Sequence, residues 1–146
     1  MYSIIKTPIG NIKIEECNGE IIRIAYSEEA PVTSVNKVLQ IAEKQLAEYF
    51  AGVRREFDLP LNPKGTEFQH KVWNALKEIP YGETRTYKQI AENIGKPTAC
   101  RAVGMANNKN PIMIVVPCHR VVGSNGSLTG YAFGVDMKEK LLKLEL

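Results

Sequence analysis

The residues best suited to chemistry are Cys118, His119 and Arg120, which are consecutive and follow Pro117 at the end of an apolar run. A cysteine attacks a substrate as its thiolate, so a reactive cysteine needs a base or a positive charge nearby. His119 and Arg120 provide one of each. However, neighbours in an extended chain point in opposite directions, and a cysteine in apolar surroundings is commonly an inert core residue. The motif therefore predicts either a nucleophilic thiol or a packed core cysteine.

The apolar run from Ile112 to Val116 indicates how this motif is presented. Its composition predicts a buried strand that halts at Pro117, because proline cannot continue the hydrogen bonding of a central strand. Such a strand would deliver Cys118 to the surface of its lobe or into a cleft.

The other cysteines and histidines do not complete a metal site. The chain has three cysteines, Cys17, Cys100 and Cys118, and two histidines, His70 and His119. An odd, sparse set without paired spacing argues against both a disulfide framework and a zinc site. The sequence therefore predicts free thiols in a reducing compartment, with no metal and no cofactor.

Charge is distributed unevenly along the chain. Residues 1–58 contain 7 Lys and Arg against 9 Asp and Glu, whereas residues 59–146 contain 12 against 7. A basic second half suits a polyanionic partner such as nucleic acid. The run from Ile112 to Val116 is the longest apolar stretch and is far shorter than the ~20 residues that cross a bilayer. Met1 leads directly into Tyr-Ser-Ile-Ile-Lys without a signal-peptide pattern, so we expect a soluble intracellular protein.

Residues 1–58 predict a small lobe built from a β-sheet and one helix. Short β-branched runs at 2–5, 12–14 and 21–26 are separated by the turn signals Pro8-Ile9-Gly10-Asn11 and Asn18-Gly19. A helix of about twenty residues is expected next, from apolar positions that recur on one face. These positions are Val35, Val38, Leu39, Ala42, Leu46 and Phe50. Prolines and glycine at residues 59–65 predict a linker.

Residues 66–146 predict a second, mainly helical lobe. Thr66 to Gln69 and Thr86 to Gln89 both have the form of a capping box, in which two side chains close the start of a helix. A turn at 95–97 separates the helix that begins near Thr86 from a third helix, which Thr98 could cap. Two short helices with a tight glycine-containing turn form the helix-turn-helix pattern, which occurs in DNA-binding proteins and in many enzymes. The predicted fold class is α+β, with the second lobe resembling a winged helix.

The third helix contains small residues around one arginine. Ala99, Cys100, Ala102 and Gly104 would let its backbone approach a nucleic-acid groove closely, with Arg101 projecting between them. The same residues would equally allow tight helix packing, with Arg101 on the solvated face.

The segment Val116-Pro117-Cys118-His119-Arg120-Val121 resembles the active-site signature of the O6-alkylguanine-DNA alkyltransferases. The similarity covers roughly residues 66–145, in order and with little gap. Its further matching segments are Phe68-Gln69, Ile79-Pro80-Tyr81-Gly82-Glu83-Thr84, Tyr87-x-x-Ile90-Ala91, Arg101-Ala102-Val103-Gly104, Asn110-Pro111, Gly130-Tyr131 and Lys138-x-x-Leu141-Leu142-x-x-Glu145. The N-terminal lobe is only generically similar to the family.

The resemblance implies catalytic roles for five residues. Cys118 would accept the alkyl group, and His119 would act as its base through a bridging water. Glu145 would orient the imidazole, although a carboxylate in a last helix is often only a surface group. Asn110 would brace the region of Cys118, beyond forming an Asn-Pro turn. Tyr87 would donate a proton to guanine N3 as the base leaves.

The resemblance also implies a partner, double-stranded DNA that contains O6-alkylguanine, from which the damaged nucleotide is flipped into a pocket. Arg101 would fill the space that the nucleotide leaves. Further DNA contacts are implied for Ala99, Ala102, Gly104, Thr86 and Arg120. The pocket residues implied are Val121, Tyr131, Ala132, Phe133, Lys138, Pro117 and Met105, with the loop 124–134 as the lip.

Two pocket positions depart from relatives in the family. Phe133 stands where several of them have a small residue, so its ring would narrow the range of alkyl groups accepted. Ala132 replaces a serine of some relatives, and a contact made through its backbone N–H would survive. The resemblance leaves open whether O4-alkylthymine is also a substrate.

The implied activity is irreversible, stoichiometric repair by a monomer in the cytoplasm, associated with the nucleoid, or in the nucleus of a eukaryote. A competing hypothesis is a non-enzymatic protein that binds alkylated DNA and recruits repair factors. Such proteins replace the cysteine, which this chain retains. A helix-turn-helix transcription regulator would explain the basic lobe and the helix pair but not the Pro-Cys-His-Arg motif. A cysteine hydrolase would use Cys118 and His119 and would need no DNA.

Overall fold

The structure is a computed structural model that describes residues 1–128 and 130–146. The chain divides into two compact units, Met1–Lys64 and Gly65–Leu146, which we call the N-terminal unit and the C-terminal unit. Helices and strands occur in both units, which confirms the predicted α+β fold. Among the described residues, no helix is both long and apolar enough to span a membrane. The same residues contain no group of three or more His, Cys, Asp or Glu side chains that could hold a metal ion.

The N-terminal unit is an antiparallel sheet of β1 (Tyr2–Thr7), β2 (Gly10–Cys17) and β3 (Glu20–Tyr26), covered by α1 (Lys37–Phe50). Asn18 and Gly19 both have positive φ, as a tight two-residue hairpin turn requires. The expected helix is shorter than predicted: Asn36 caps it, and Val35 lies outside it with 86% of its surface exposed.

The segment predicted as a linker is partly bound to the N-terminal unit. The backbone N–H of Ile21 in β3 donates to the carbonyl of Pro60 at 2.7 Å, and the N–H of Asn62 donates to the carbonyl of Ile21 at 2.8 Å. Residues 60–62 therefore extend the edge of the sheet, and the two units divide after Lys64.

The C-terminal unit is mainly helical. Its longer elements are α2 (Glu67–Lys77), α3 (Tyr87–Asn93), α4 (Cys100–Asn108) and α5 (Val135–Leu144). Both predicted capping boxes are present, at the starts of α2 and α3. The cap predicted for Thr98 is wrong, because Ala99 occupies the cap position of α4 and no side chain bonds there. A turn through Gly95, with φ of 78°, separates α3 from α4 in the predicted helix-turn-helix order.

Candidate active site

Asn110 organises the segment that leads to Cys118. Its Oδ1 accepts from the N–H of Ile112 at 3.0 Å, and its Nδ2 donates to the carbonyls of Ile112 at 3.2 Å and Val116 at 2.7 Å. Ile114 has φ of 70°, a conformation that is costly for a β-branched residue. The predicted buried strand is therefore wrong: the run is buried but turns, because the Asn110 amide satisfies backbone groups that a neighbouring strand would otherwise satisfy.

Cys118 starts a short 3-10 helix, Cys118–Arg120, and only 3% of its surface is exposed. Burial raises the pKa of its thiol, whereas hydrogen bonding from Asn110, the charge of Lys138 and the Tyr131 hydroxyl act to lower it. The resting thiol is protonated, yet it lies among groups that stabilise a thiolate. Its reactivity therefore depends on a base that can remove the proton.

His119 is completely buried, and its Nε2 lies 2.7 Å from Oε2 of Glu145, directly after α5. With a carboxylate at Nε2, that nitrogen carries the proton and Nδ1 keeps its lone pair. Within the described part of the chain, Nδ1 has no hydrogen-bond partner. Burial lowers the pKa of His119 although Glu145 opposes this shift. The imidazole is thus a neutral group with one nitrogen available as a base.

Arg120 lies inside the unit, with 6% of its surface exposed. Its Nε and Nη2 donate to the two carboxylate oxygens of Glu145 at 2.8 and 3.0 Å, and its Nη1 donates to the carbonyl of Ile79 at 2.7 Å. The expectation that Arg120 contacts DNA is corrected here, because these internal partners hold its guanidinium. Its partner Glu145 is 25 residues away in the chain, and sequence spacing gives no sign of the pairing.

A small parallel sheet brings Tyr87 towards Cys118. Strand β4 (Arg85–Thr86) runs directly into α3, which begins at Tyr87, and it pairs with β5 (Val121–Val122), which directly follows the turn of Cys118. Tyr87 is half-buried, and burial raises the pKa of its hydroxyl, with the nearby Cys118 acting in the same direction. The hydroxyl is therefore a proton donor close to the thiol.

Lys138 is fully buried on α5 beside both of these residues. Its Nζ donates to the carbonyl of Val121 and lies 5.8 Å from the centroid of the Tyr87 ring. Burial lowers the pKa of Lys138 to about 8, although its interaction with Cys118 opposes the shift. Lys138 is thus mostly cationic at neutral pH and places a positive charge near the thiol.

Asn107 is a buried residue that sequence reasoning missed. Its Nδ2 donates to the carbonyl of Cys118 at 3.3 Å, so it links α4 to the backbone of the candidate nucleophile. It lies on the inward face of α4 with Val103 and Ala106. A polar residue at an inward position of an amphipathic helix is the signal that could have identified it.

Helix α4 presents the predicted DNA-contacting residues at or near the surface. The exposed ones are Arg101 and Ala102, and the half-buried ones are Ala99 and Gly104. Thr86 is also half-buried, but its hydroxyl accepts the N–H of Gln89 at 3.1 Å and so caps α3. Met105, predicted to line the pocket, has 65% of its surface exposed on α4, so the structure does not place it among the buried pocket residues.

The other predicted pocket residues differ in burial. The buried ones are Pro117, Val121, Tyr131 and Lys138. Ala132 is exposed, and Phe133 is half-buried with its ring centroid 5.7 Å from that of Tyr131. Gly130 passes so close to Tyr87 that a Cβ there would lie 2.8 Å from the phenol oxygen. Thr129, in the predicted pocket lip, lies outside the described residues.

Comparisons with known proteins agree along the whole chain. Residues 67–146 match the family described as 6-O-methylguanine DNA methyltransferase, DNA binding domain, and residues 1–63 match its ribonuclease-like domain. A methylated-DNA–protein-cysteine methyltransferase of Methanosarcina acetivorans is 54% identical, with 99% of this chain and 97% of that protein covered. A constitutive protein of the same name from Bacillus subtilis is 47% identical, with 99% and 94% covered. The crystal structure of Mycobacterium tuberculosis OGT in complex with DNA is 46% identical, with a TM-score of 0.90 and coverage of 99% and 91%.

Proposed function

Because this chain belongs to the 6-O-methylguanine DNA methyltransferase family, we propose that Cys118 is the residue that accepts the alkyl group. The protein binds DNA and repairs it by direct damage reversal, in which an alkyl group moves from guanine O6 to a cysteine of the protein. The observation that carries the assignment is that Cys118 shares the short turn Cys118–Arg120 with His119, whose Nε2 is 2.7 Å from the buried Glu145 carboxylate. This arrangement supplies a thiol with an oriented base.

In the proposed reaction, Nδ1 of His119 takes the Cys118 proton through a bridging water. The thiolate then attacks the alkyl carbon, so that the S–C bond forms as the O6–C bond breaks. Tyr87 donates its proton to guanine N3, and guanine leaves as a neutral base rather than an anion. Lys138 stabilises the thiolate before attack, and Asn110 holds the segment that carries it.

We propose that the substrate is double-stranded DNA. Guanine O6 lies within the base stack of a duplex, so the nucleotide must rotate out of the helix before the thiol can reach it. Arg101, exposed on α4, fills the vacated space, while Ala99, Ala102 and Gly104 let the helix backbone approach the minor groove. Thr86 contributes to the same surface at the start of α3.

The pocket for the flipped base is formed by Val121, Tyr131 and the backbone of Ala132, together with Pro117, which is buried directly before Cys118 in the chain. Phe133 packs edge-on against Tyr131, and its bulk limits the size of the alkyl group accepted. One alkyl transfer needs one active site, so we propose that the protein acts as a monomer. We propose that the reaction takes place where the chromosome is, in the cytoplasm at the nucleoid or, in a eukaryote, in the nucleus.

Each molecule carries out the transfer only once. An S-alkyl cysteine is a stable thioether, and a second turnover would require the cleavage of an S–C bond that no step of this mechanism breaks. The protein is therefore a stoichiometric reagent that repairs one lesion per chain.

Intact-protein mass spectrometry after incubation with a duplex that contains one O6-methylguanine tests this assignment. We expect a gain of one methyl group, mapped to the peptide of Cys118 and saturating at one per chain. Cys118→Ala should abolish the gain, whereas the matched controls Cys17→Ala and Cys100→Ala should retain it.

Two results would overturn the assignment. Methyl gain on Cys17 or Cys100 would place the acceptor elsewhere. Tight binding of the damaged duplex by the reduced protein without any gain in mass would favour a protein that recruits other repair factors.

A further inference from the structure

The carboxylate of Glu145 is shared between a candidate base and a permanent cation. Oε2 lies 2.7 Å from Nε2 of His119 and 3.0 Å from Nη2 of Arg120, and Oε1 lies 2.8 Å from Nε of Arg120. The Glu145 side chain is 1% exposed, and those of His119 and Arg120 are 0% and 7% exposed. The three groups therefore interact with little screening by water.

Arg120 is fixed in this position by contacts from another part of the unit. Its Nη1 donates to the carbonyl of Ile79, just after α2, and its guanidinium carbon lies 5.8 Å from the centroid of the Tyr81 ring. The N–H of Gly82, in the same turn, is 3.4 Å from Oε1 of Glu145. The planar guanidinium thus holds the carboxylate by two parallel hydrogen bonds, which a lysine could not reproduce.

We propose that Arg120 is a positioning residue that keeps His119 neutral by neutralising the carboxylate of Glu145. The proposal rests on the function proposed above, in which His119 is the base for Cys118. A carboxylate hydrogen-bonded to an imidazole normally favours the imidazolium, which has no lone pair at Nδ1 and cannot accept the thiol proton. Arg120 weakens this preference for the imidazolium, because its guanidinium already balances the charge of Glu145.

The other charged and titratable groups around His119 act consistently with this role. Burial is the main cause that lowers the pKa of His119, the contact with Glu145 raises it, and the charges of Arg120 and Lys138 lower it further. Cys118, the preceding residue, is a protonated thiol at rest and adds no charge. Without Arg120, the buried Glu145 carboxylate would lose the charge that balances it and would favour a protonated His119 more strongly, so the imidazole would take up a proton from solvent.

The test is the titration of His119 followed by NMR of its imidazole nitrogens and carbons in the absence of DNA. The chain has only one other histidine, His70, so a His70→Gln background leaves a single imidazole to observe. Four variants are compared in that background: Arg120→Met, Arg120→Gln, Arg120→Lys and the double variant Arg120→Met with Glu145→Gln. Arg120→Gln keeps a hydrogen-bond donor near Glu145 without a charge, so it provides the answer if Arg120→Met is too unstable to study.

We expect Arg120→Met and Arg120→Gln to raise the pKa of His119 by about one unit or more, as expected when one charge of a close buried pair is removed. Arg120→Lys should restore most of the original value, since it supplies a charge. The double variant should also return towards it, because the carboxylate charge is then absent. In Arg120→Met and Arg120→Gln, the methyl-transfer rate should fall to half at a higher pH on the acidic side of the pH profile. This shift should follow the rise in the pKa of His119.

An unchanged pKa of His119 in both Arg120→Met and Arg120→Gln would overturn the proposal. A rise in this pKa that is as large in the double variant, which lacks the charge of Glu145, would also overturn it. The NMR readout requires no methyl transfer, so it is independent of the function proposed above. If Cys118 accepts no methyl group but the titration shifts as expected, the function is wrong and the charge relation holds. If transfer occurs and the titration does not shift, only the role of Arg120 is wrong.

Discussion

In each unit a buried side-chain amide bonds to an irregular segment of backbone, and a comparison of Gln45 with Asn110 shows different surroundings. In the N-terminal unit, Gln45 of α1 donates from Nε2 to the carbonyl of Asp58 and accepts its N–H at Oε1, both at 2.9 Å. In the C-terminal unit, Asn110 makes three such bonds to Ile112 and Val116, and it also interacts with the thiol of Cys118. The amide of Gln45 stabilises only the backbone, whereas the amide of Asn110 also interacts with the candidate nucleophile.

The same contrast extends to the other buried polar residues. In the N-terminal unit they are Ser3, Glu16, Ser27 and Gln45, and in the C-terminal unit they are Asn107, Asn110, His119, Arg120, Lys138 and Glu145. Burial of a charge is costly unless partners compensate it, so a unit optimised for stability alone would replace most of the second set by apolar residues. The C-terminal unit buries His119, Arg120, Lys138 and Glu145 close to the turn of Cys118, and such clusters of buried ionisable groups are typical of functional sites.

The largest effect is expected from removal of the two amides. Asn110→Ala should lower the free energy of unfolding by about 3 kcal/mol and Gln45→Ala by about 2 kcal/mol, since they lose three and two buried hydrogen bonds. Urea unfolding measures both. Asn110→Ala should also raise the pKa of the Cys118 thiol, because it removes a hydrogen bond that lowers this pKa. A rise of one pKa unit reduces the thiolate fraction about tenfold, so the initial rate of methyl transfer should fall at least tenfold for Asn110→Ala and should not fall for Gln45→Ala. If Gln45→Ala slows transfer equally at a temperature where both proteins are folded, the rate follows stability and the contrast between the units is lost.

Methylation of Cys118 should destabilise the protein by about 1–3 kcal/mol, because it inserts a methyl group into a packed site. Scanning calorimetry of the methylated protein, after removal of the repaired DNA, should show a lower Tm than that of the unreacted protein. Cys118→Ala treated with the same duplex serves as the control and should not shift. An alkylated protein that melts at or above the temperature of the free protein would contradict a tightly packed acceptor.

A comparison of two lysines that lie over tyrosine rings sharpens the contrast. Lys138→Met should reduce the rate of methyl transfer about tenfold at neutral pH, since it removes the cation near Cys118. Lys13→Met in the N-terminal unit, where Nζ is 4.3 Å from the Tyr2 ring centroid, should leave the rate unchanged. The pKa of Lys138 is lowered to about 8, so its charge is present below that pH and is lost above it. The ratio of wild-type to Lys138→Met rates should therefore shrink as the pH rises through 8, and a constant ratio would rule out an electrostatic role.

The smallest effect is expected from the two threonine caps of the C-terminal unit. Thr66→Ala and Thr86→Ala each remove a cap with the same geometry, so each should cost about 1 kcal/mol of stability. Affinity for duplex DNA, measured by fluorescence anisotropy, should fall only for Thr86→Ala if that residue also contacts DNA. If Thr66→Ala and Thr86→Ala bind duplex DNA with equal affinity, Thr86 acts only as the cap of α3.

Features determined by residues close in sequence could be predicted. The capping boxes of Thr66 and Thr86 involve partners three residues away, and the hairpin at Asn18-Gly19 depends on two adjacent residues that tolerate positive φ. These interactions need no partner from elsewhere in the chain. The elements that they define, including the helix-turn-helix, therefore follow from the sequence alone.

Features that no recognised short motif indicates, or whose partners are distant in sequence, could not be predicted. The run from Ile112 to Val116 has the composition of a strand, and it turns only because Asn110 binds its backbone from within. From the sequence, Arg120 is expected to be an exposed cation, because nothing near it in the chain indicates that it pairs with Glu145. Composition and spacing alone left Cys118 as either a nucleophile or a core residue, and its candidate role, with those of Tyr87 and Glu145, came only from the resemblance to a family.

The position of Glu145 has a consequence for the newly synthesised protein. A ribosome makes the chain from its N-terminus, so Cys118 and His119 exist well before the carboxylate that orients the imidazole. During that interval the nascent chain carries the thiol and the imidazole without the carboxylate that orients the imidazole. The order of residues along the chain thus means that the contact between His119 and Glu145 forms only after synthesis has passed residue 145.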